Sequence, residues 1–290
     1  MANTYYDPGT KRAEKVKDLF SRIAPRYDLI NDLQSFGLHR YWKKKLVALA
    51  RPERGSRALD FCCGTGDIAF ALARNGAEVL GLDFSEAMLT IARQRCRRRD
   101  ESLANTGMLL ADDSSRRRLQ SQLKVTVENA GTPQDHPPSI AFVQGDAMHT
   151  GLPSASFDIA TVGYGLRNLS DWKAGVSEMV RILKPGGRIL VLDFGKPDNP
   201  VWRTLYFTYL RLFVPLLGLV FCRNAAAYSY ILESLKHYPA QNGVADEMSA
   251  RGLKGVRIIY FLGGVMTINY AEKPSARMHE DQETVETVGK

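Results

Sequence analysis

The stretch "ALDFCCGTGDIA", residues 58–69, decides how the fold of this 290-residue chain is interpreted. An apolar run ends near a carboxylate, and two glycines one residue apart follow before the chain turns polar. This order predicts a buried strand, a tight turn and a helix, because glycine permits the left-handed backbone of such turns. Loops of this kind hold nucleotide-like ligands at the carboxyl end of a strand.

Apolar, β-branched runs alternate with helical segments along most of the chain. The runs lie at residues 57–63, 77–84, 139–144, 157–163 and 187–194. Helices are predicted over 67–74, from Ser85 and over 171–184, where Pro185-Gly186-Gly187 is a stop signal. The alternation predicts an α/β fold with a doubly wound, mostly parallel sheet. Two β-rich runs around Gly263-Gly264 predict a terminal antiparallel hairpin.

We expect three parts along the chain: a helical cap at residues 1–50, a main domain at 51–273 and a disordered tail at 274–290. The cap should break at Pro25 and near Gly37. Residues 97–138 are polar and interrupt the alternation. We interpret them as an insertion into the main domain that is partly helical or disordered.

Composition narrows the class of protein. The chain is 44% hydrophobic and carries a formal net charge of +8, which suits nucleic acid, an anionic membrane surface or an acidic substrate. Its four cysteines form neither a disulfide framework nor a zinc pattern, so we expect a reducing compartment and no metal. The first 15 residues lack the apolar core of a secretory signal. We therefore expect a cytoplasmic protein, with a possible position at the inner membrane surface.

The glycine loop leaves two ligands open. Gly64 and Gly66 fit the dinucleotide fingerprint, and Asp83, 19 residues after Gly64, is placed to bind ribose hydroxyls of NAD. Asp60 and Asp67 flank the loop, however, and each would oppose a pyrophosphate by about 1–4 kcal/mol. The same carboxylates suit a cationic nucleoside, which favours S-adenosylmethionine.

A second element of the same site follows the third strand. Asp146 and Ala147 come directly after that strand, where ligands bind in doubly wound sheets. Asp146 is placed there to accept the adenine amino group. The alternative is that it only caps a loop.

Three stretches carry a resemblance to a known family: "FSRIAPRYDLINDLQSFGLHRYWKK" at 20–44, "LDFCCGTGDIA" at 59–69 and "GYGLRNLSD" at 163–171. The chain resembles the class I, Rossmann-like methyltransferases that use S-adenosylmethionine. Within them it is most similar to the C-methyltransferases of ubiquinone and menaquinone biosynthesis, including the demethylmenaquinone methyltransferases. The resemblance implies a seven-stranded sheet and methylation of a ring carbon of a prenylated quinol. It also implies cofactor contacts from Thr65, Asp83, Asp146, Ala147 and Gly163.

The chain departs from the family pattern at two of the positions around the cofactor. Gly163 stands where many members have serine, and Met148 stands where an acidic residue is usual. These departures concern peripheral contacts and substrate preference rather than the reaction. Another small lipophilic substrate stays open as an alternative.

The catalytic groups are expected just past the fourth strand. Arg167 and Asn168 lie where the reacting carbon should be. A guanidinium stays protonated, so we expect Arg167 to stabilise the developing oxyanion, with water taking the proton. Pairing of Arg167 with Asp171 is the structural alternative. His149 is the alternative base, because its ordinary pKa suits neutral pH.

The N-terminal segment is expected to cover the substrate. Tyr27 and Asn31 are four residues apart and share a helix face, and His39 and Trp42 follow. We interpret these four as substrate-binding residues. Packing of an amphipathic helix on the core is the equal alternative.

The most apolar stretch, residues 205–222, suggests contact with lipid. Arg211, Pro215 and Gly218 charge or break it, which favours a substrate-facing or interfacial helix over a membrane span. We therefore expect a peripheral membrane association and, as a further possibility, a homodimer. An NAD-dependent oxidoreductase stays open as an alternative function. A nucleic-acid partner, suggested by "RCRRR" at 95–99, is not expected because aromatic residues are sparse around it.

Overall fold

The computed structural model describes residues 11–24, 27–105, 140–222 and 226–275. The strands in these ranges are β1 (Arg57–Phe61), β2 (Glu78–Asp83), β3 (Ile140–Gln144), β4 (Phe157–Gly163), β5 (Leu183–Phe194), β6 (Lys254–Phe261) and β7 (Met266–Glu272). They form one seven-stranded sheet in the order β3-β2-β1-β4-β5-β7-β6. Strands β1 to β5 pair in parallel, and β7 pairs antiparallel with β5 and β6. The predicted doubly wound sheet with a terminal hairpin is confirmed.

The helices surround this sheet. They are α1 (Arg12–Ile23), α2 (Tyr27–Ser35), α3 (Leu38–Ala50), α4 (Asp67–Arg74), α5 (Glu86–Asn105), α6 (Trp172–Ile182), α7 (Pro200–Cys222), α8 (Ala226–His237) and α9 (Ala240–Ala250). The break expected near Gly37 is present, since Gly37 adopts φ +76° and α3 starts after it. Pro25 lies outside the described residues, as do 106–139 and 276–290. The division of the chain into cap, main domain and tail stays a prediction.

Hydrophobic clusters cover both faces of the sheet. One cluster joins side chains of α1 and α6 to α9 to Leu59 and Phe61 of β1. The other joins α3, α4 and α5 to Ala58 of the same strand. Neighbouring residues of β1 therefore point into different layers, as the alternation of a strand requires. The carboxyl ends of the parallel strands lie together at one edge of the sheet, where ligands bind in such folds.

Two predicted boundaries were wrong, and local geometry explains both. Strand β1 ends at Phe61 rather than at Cys63, because Cys62 turns the chain at φ +50°. Strand β5 starts at Leu183, before the proline–glycine stop signal that was expected to end the preceding helix. Leu183 pairs with Phe157, and a register shift before Ile159 accommodates the Pro-Gly-Gly segment as a bulge.

Helix α7 continues through Pro215, although the sequence predicted a break there. Proline removes one backbone hydrogen bond, and the helix is held instead by packing. Tyr206, Leu210 and Val214 form a buried stripe at spacings of four, and α7 packs against α8. No helix in the described part of the chain is both long and apolar enough to cross a membrane.

A buried carboxylate on β1 forms hydrogen bonds to β4 and α4. Asp60 accepts a hydrogen bond from the Thr161 hydroxyl at 2.7 Å and from the Ala69 backbone N–H at 3.1 Å. Thr161 lies opposite Asp60 on β4, and Ala69 lies in the first turn of α4. Burial raises the pKa of Asp60 to about 7, although the two hydrogen bonds oppose that rise. Asp60 therefore supports the glycine loop from beneath.

Replacing Asp60 by asparagine should change how stability depends on pH. The pKa of Asp60 is higher in the folded chain than in the unfolded chain, so stability due to the protonated carboxyl is present below pH ~4. This contribution to the free energy of unfolding is lost as the pH rises to ~7. It amounts to about 1.4 kcal/mol for each unit by which the folded and unfolded pKa values differ. Asp60→Asn retains the shape and does not titrate; its Oδ1 can accept from the Ala69 N–H while its Nδ2 donates to the Thr161 hydroxyl. In urea unfolding, the free energy of unfolding of Asp60→Asn should rise relative to that of wild type between pH 4 and 7. A difference between the two proteins that stays constant over this range would contradict the raised pKa of Asp60.

Candidate active site

A cavity of about 290 Å³ lies at the carboxyl ends of β1, β2, β3 and β4. We call it the strand-end cavity. Among the residues that line it are five of the predicted cofactor residues: Gly64, Asp83, Asp146, Ala147 and Gly163. Segments far apart in the chain therefore meet in one site, as the parallel topology requires.

The glycine loop is shaped by backbone conformation. Gly64 adopts φ +55° and donates its N–H to Asp83 at 2.8 Å. Gly66 adopts φ +89° at the start of α4, and a Cβ there would lie 2.9 Å from the rings of Phe142 and Phe70. Gly66 is therefore required by packing and backbone angle, and it does not line the strand-end cavity.

Thr65 does not line the strand-end cavity either, although the family resemblance assigned it a cofactor contact. Its buried hydroxyl donates to Asp28 of α2 at 3.0 Å. The side chain thus faces the cap helices rather than the strand ends. The physical reason is the turn at Gly64, which directs consecutive loop residues to opposite sides.

The two carboxylates of the strand-end cavity differ in environment. Asp83 is buried and accepts from the N–H groups of Gly64 and Ser85 at 2.8 and 2.9 Å. Burial raises its pKa to about 6, so it is mostly ionised at neutral pH. Asp146 is exposed and accepts from the Met148 N–H at 2.8 Å. A carboxylate has about four acceptor positions, so Asp83 retains capacity to accept from a ligand hydroxyl.

Asp60 and Asp67, the acidic pair on which the sequence argument relied, lie outside the strand-end cavity. Asp67 forms ion pairs with Lys43 at 2.7 Å and with Arg95 at 3.0 Å, so its charge is compensated by the protein. Asp60 lies under the loop on β1 and β4. Neither lines the strand-end cavity, whose charged lining consists, among the described residues, of Asp83 and Asp146.

A second cavity of about 340 Å³ lies beside the first. We call it the tyrosine cavity, after its lining residues Tyr27, Tyr164, Tyr206, Tyr209 and Tyr230. Tyr27 and Tyr164, together with Phe20, line both cavities and form the wall between them. The four predicted substrate-binding residues also meet here: Tyr27, Asn31, His39 and Trp42. Their role in binding stays a prediction.

In the part of the chain that the structure describes, buried polar atoms without a hydrogen-bond partner are concentrated around the tyrosine cavity. Six of them belong to its lining residues: Asn31 Nδ2, Gln34 Oε1, His39 Nδ1, Tyr164 OH, Arg167 Nε and Tyr206 OH. Leaving such groups unpaired costs about 1–3 kcal/mol each. The walls between them are mostly apolar. The cavity is therefore suited to a ligand with an apolar body and a polar ring.

Arg167 projects into the tyrosine cavity from the short 3₁₀ turn Leu166–Asn168 after β4. One guanidinium nitrogen bonds the Tyr164 carbonyl at 2.7 Å and Asp193 at 2.6 Å, and the group lies 4.7 Å from the centre of the Phe194 ring. The alternative pairing with Asp171 is wrong, because Asp171 caps the N-terminus of α6.

Asn168 lines the strand-end cavity, on the other side of the same turn. It donates to the Tyr164 carbonyl at 3.1 Å and accepts from the Tyr230 hydroxyl at 2.9 Å. The predicted catalytic pair thus has one member at each cavity. His149, the alternative base, is exposed and lines neither cavity.

Several residues of the site were missed by sequence reasoning. Asp193, which holds Arg167, lies 26 positions away on β5. Tyr206 and Tyr209 lie on α7, and Tyr230 lies on α8. The aromatic residues repeated at helical spacing in 205–222 were a signal for the tyrosines. Nothing local to Asp193 marks it as the partner of Arg167.

Comparison with known proteins identifies the family. A family model described as "ubiE/COQ5 methyltransferase family" matches residues 9–115 and 108–273. The chain belongs to this family. It is similar to a demethylmenaquinone methyltransferase of Desulfitobacterium hafniense, with 36% identity covering 92% of each chain. It is also similar to the ubiquinone/menaquinone biosynthesis C-methyltransferase UbiE of Azotobacter vinelandii, with 33% identity covering 92% of this chain and 93% of that one.

Solved structures agree on the fold of this ubiE/COQ5 family member. The [4+2]-cyclase SpnF has a TM-score of 0.54 at 17% identity, covering 91% of this chain and 97% of its own. A SAM-dependent methyltransferase of Thermotoga maritima, a possible histamine N-methyltransferase, has a TM-score of 0.54 at 18% identity, covering 88% and 99%. At these identities the likeness shows the fold alone. The family predicted from the motifs and the predicted class of methyltransferase are confirmed.

Proposed function

We propose that this chain transfers a methyl group from S-adenosylmethionine to a ring carbon of a prenylated quinol in quinone biosynthesis. Membership of the ubiE/COQ5 methyltransferase family supports the reaction class and this donor. The observation that carries the proposal is the shared wall: Tyr27 and Tyr164 separate the acidic strand-end cavity from the tyrosine cavity. A donor in the first and an acceptor in the second would meet across this wall.

The donor side fits a cation. The described residues that line the strand-end cavity include Asp83 and Asp146 and neither lysine nor arginine. Two carboxylates would oppose a pyrophosphate but attract a sulfonium and an ammonium. In this proposal, Asp83 binds the ribose hydroxyls, Asp146 the adenine amino group, and Gly64, Ala147 and Gly163 let the ligand approach the backbone. When bound, S-adenosylmethionine supplies an electrophilic methyl group.

The acceptor side fits a polar ring with an apolar tail. The unpaired polar atoms of the tyrosine cavity meet the quinol oxygens, and the apolar walls meet the prenyl chain. A carbon nucleophile forms when the quinol hydroxyl loses its proton. Arg167, fixed by Asp193 at 2.6 Å, then stabilises the negative oxygen. Orientation of the ring against the shared wall contributes further to the rate.

An apolar face surrounds the mouth of the tyrosine cavity. On α7, exposed side chains spaced four, seven, four and three residues apart form one stripe: Val201, Leu205, Leu212, Leu216 and Leu219. At the mouth, Phe36 is 82% exposed and Leu262 is 53% exposed, and both adopt a left-handed backbone at φ +50° and +48°. Bulky residues rarely take this conformation, so their outward position has a conformational cost.

The occupant of this face in our proposal is a lipid bilayer. The face is continuous with the cavity that takes the prenylated acceptor, so the tail can leave the bilayer without crossing water. The net charge of +8 would add attraction to anionic lipid. A homodimer stays a prediction, and a second copy covering the same face is one outcome of the test below.

Donor binding separates this function from an NAD-dependent one. Calorimetry should show that wild type binds S-adenosylmethionine and not NAD. Asp83→Ala should raise the Kd for the donor roughly 10- to 100-fold, because a charge-assisted hydrogen bond worth about 1.5–3 kcal/mol is lost. Asp246→Ala, at an exposed position on α9, is the matched control and should bind as wild type does. Binding of NAD alone would overturn the proposal.

The reaction is tested by mass spectrometry of the product. Wild type supplied with isotope-labelled donor should add one methyl to the ring of a prenylated naphthoquinol or benzoquinol, and which ring reacts identifies the substrate. Arg167→Lys keeps a cation beside Asp193 but loses the planar fork. It should lower kcat roughly 10- to 100-fold with unchanged donor affinity. Arg74→Lys, on the exposed side of α4, is the control. Unchanged turnover would remove Arg167 from the mechanism.

Membrane docking is tested by flotation with zwitterionic vesicles. Asparagine accepts the left-handed backbone, so the double variant Phe36→Asn/Leu262→Asn should fold while losing two apolar contacts. Each contact is worth about 1.5–3 kcal/mol, so the bound fraction should fall by roughly 10-fold or more. Arg51→Asn, at another exposed left-handed position, is the matched control. If wild type does not bind vesicles but forms a dimer, and the double variant is a monomer, the face would instead be assigned to a second copy.

A further inference from the structure

His39 presents an unusual imidazole to the tyrosine cavity. The side chain is buried, with 4% of the residue exposed, and it lines the cavity that also contains Arg167. Its Nε2 lies 2.7 Å from Oδ1 of Asp32. Its Nδ1 is buried and has no hydrogen-bond partner among the described residues. One ring nitrogen is therefore fixed by a carboxylate, while the other carries no hydrogen bond within the described part of the chain.

The charge on Asp32 decides which nitrogen carries the proton. Arg40 donates to both oxygens of Asp32, from Nε at 2.9 Å and from Nη2 at 2.5 Å. These bonds, with the one from His39, hold the pKa of Asp32 below its ordinary value. An ionised carboxylate only accepts hydrogen bonds, so Nε2 of His39 must be the donor. Nδ1 then carries a lone pair.

We propose that His39 is the general base that removes the quinol proton through Nδ1, with Asp32 as the residue that positions it. This inference rests on the proposed function, because it assigns a group to the proton transfer in that reaction. It assigns His39 a second role beyond lining the cavity, and it replaces both water and His149 as the acceptor of the proton.

The step balances in atoms and electrons. The quinol O–H bond breaks, its proton moves to Nδ1, and its electron pair stays on the oxygen beside Arg167. That pair pushes into the ring, the ring carbon bonds to the methyl, and the bond from sulfur to methyl breaks with its electrons on sulfur. His39 passes the first proton to solvent on the Asp32 side, and its neutral ring then takes the proton of the ring carbon and returns it to the oxygen as the quinol ring becomes aromatic. One proton is released in all.

The surroundings keep the His39 ring neutral, so that it can accept a proton. Burial lowers its pKa below the ordinary value; Lys43 lowers it further, while Asp32 and Asp67 oppose the shift. On the cavity side it shares the lining with Arg167 and the tyrosines. Burial also raises the pKa of four of those tyrosines, so these four stay protonated at neutral pH: Tyr27, Tyr164, Tyr206 and Tyr209.

The pair of His39 and Asp32 also connects the tyrosine cavity to solvent. Asp32, His39, Arg40 and Lys43 line a large polar groove of about 960 Å³ on the outer side of α2 and α3. The Asp32 side chain is 30% exposed, so water reaches it. A proton taken from the buried ring can leave through this side. A base buried entirely inside the cavity would lack such an exit.

Kinetics of two variants test the assignment. His39→Gln should lower kcat about 100-fold or more, since general bases contribute about 10²–10⁴-fold. Wild-type kcat should rise with pH through the pKa of His39, because only the neutral ring accepts a proton. Asp32→Asn should lower the plateau and also move this rise to lower pH, since the carboxylate that supports the charged ring is gone. A merely structural role of Asp32 would lower the plateau without moving the rise.

A readout independent of turnover is the nitrogen NMR spectrum of the histidine rings in the protein without ligands. At pH 7 wild type should show a proton on Nε2 of His39 and none on Nδ1, and Asp32→Asn should lose this preference. His149→Gln, at an exposed position outside both cavities, is the matched control and should leave kcat and the His39 signals unchanged.

The outcomes separate the two proposals. If wild type methylated no quinol, the proposed function would fail. If wild type methylated a quinol and folded His39→Gln did so equally fast, only the base assignment would be wrong. A proton found on Nδ1 of His39 at pH 7 would also overturn the assignment.

Discussion

The position of the cap helices over the glycine loop depends on the ion pairs of Asp67. This residue begins α4 and binds Lys43 of α3 at 2.7 Å and Arg95 of α5 at 3.0 Å. Arg95 also pairs with Asp28 of α2, which accepts the Thr65 hydroxyl. The pairs are half-buried, so removing one partner would leave a poorly solvated charge. They hold α2 and α3 where Tyr27 lines both cavities and His39 lines the tyrosine cavity, so both cavities depend on that position.

Charge is divided between the two cavities. The strand-end side carries the carboxylates Asp83 and Asp146, and the tyrosine side carries the guanidinium of Arg167. A cationic donor and an anionic acceptor would each find the opposite sign on its own side of the wall. Because Asp193 fixes Arg167 in a buried pair at 2.6 Å, this arrangement is present before any ligand binds. Such preorganisation is how electrostatic catalysis avoids reorganising polar groups during the reaction.

The sequence predicted the frame of the site better than its contacts. Alternating strands and helices place Asp83, Asp146 and Gly163 at strand ends, and the sheet topology brings those ends together. The loop residues Thr65 and Asp67 were assigned to the ligand but face the cap helices instead. Their direction depends on the turn at Gly64 and on where α2, α3 and α5 lie, which no local pattern contains.

The amino-acid sequence alone determined the α/β class, the terminal hairpin, the family and the line of residues at the strand ends, because these follow from periodicity, turn chemistry and contiguous motifs. Only the tertiary structure decided which charges pair. Asp193 reaches Arg167 across β4 and β5, and Asp32 reaches His39 across the break at Gly37. An ion pair or a hydrogen bond depends on a few ångströms in space, and that distance is set only when the helices have packed on the sheet.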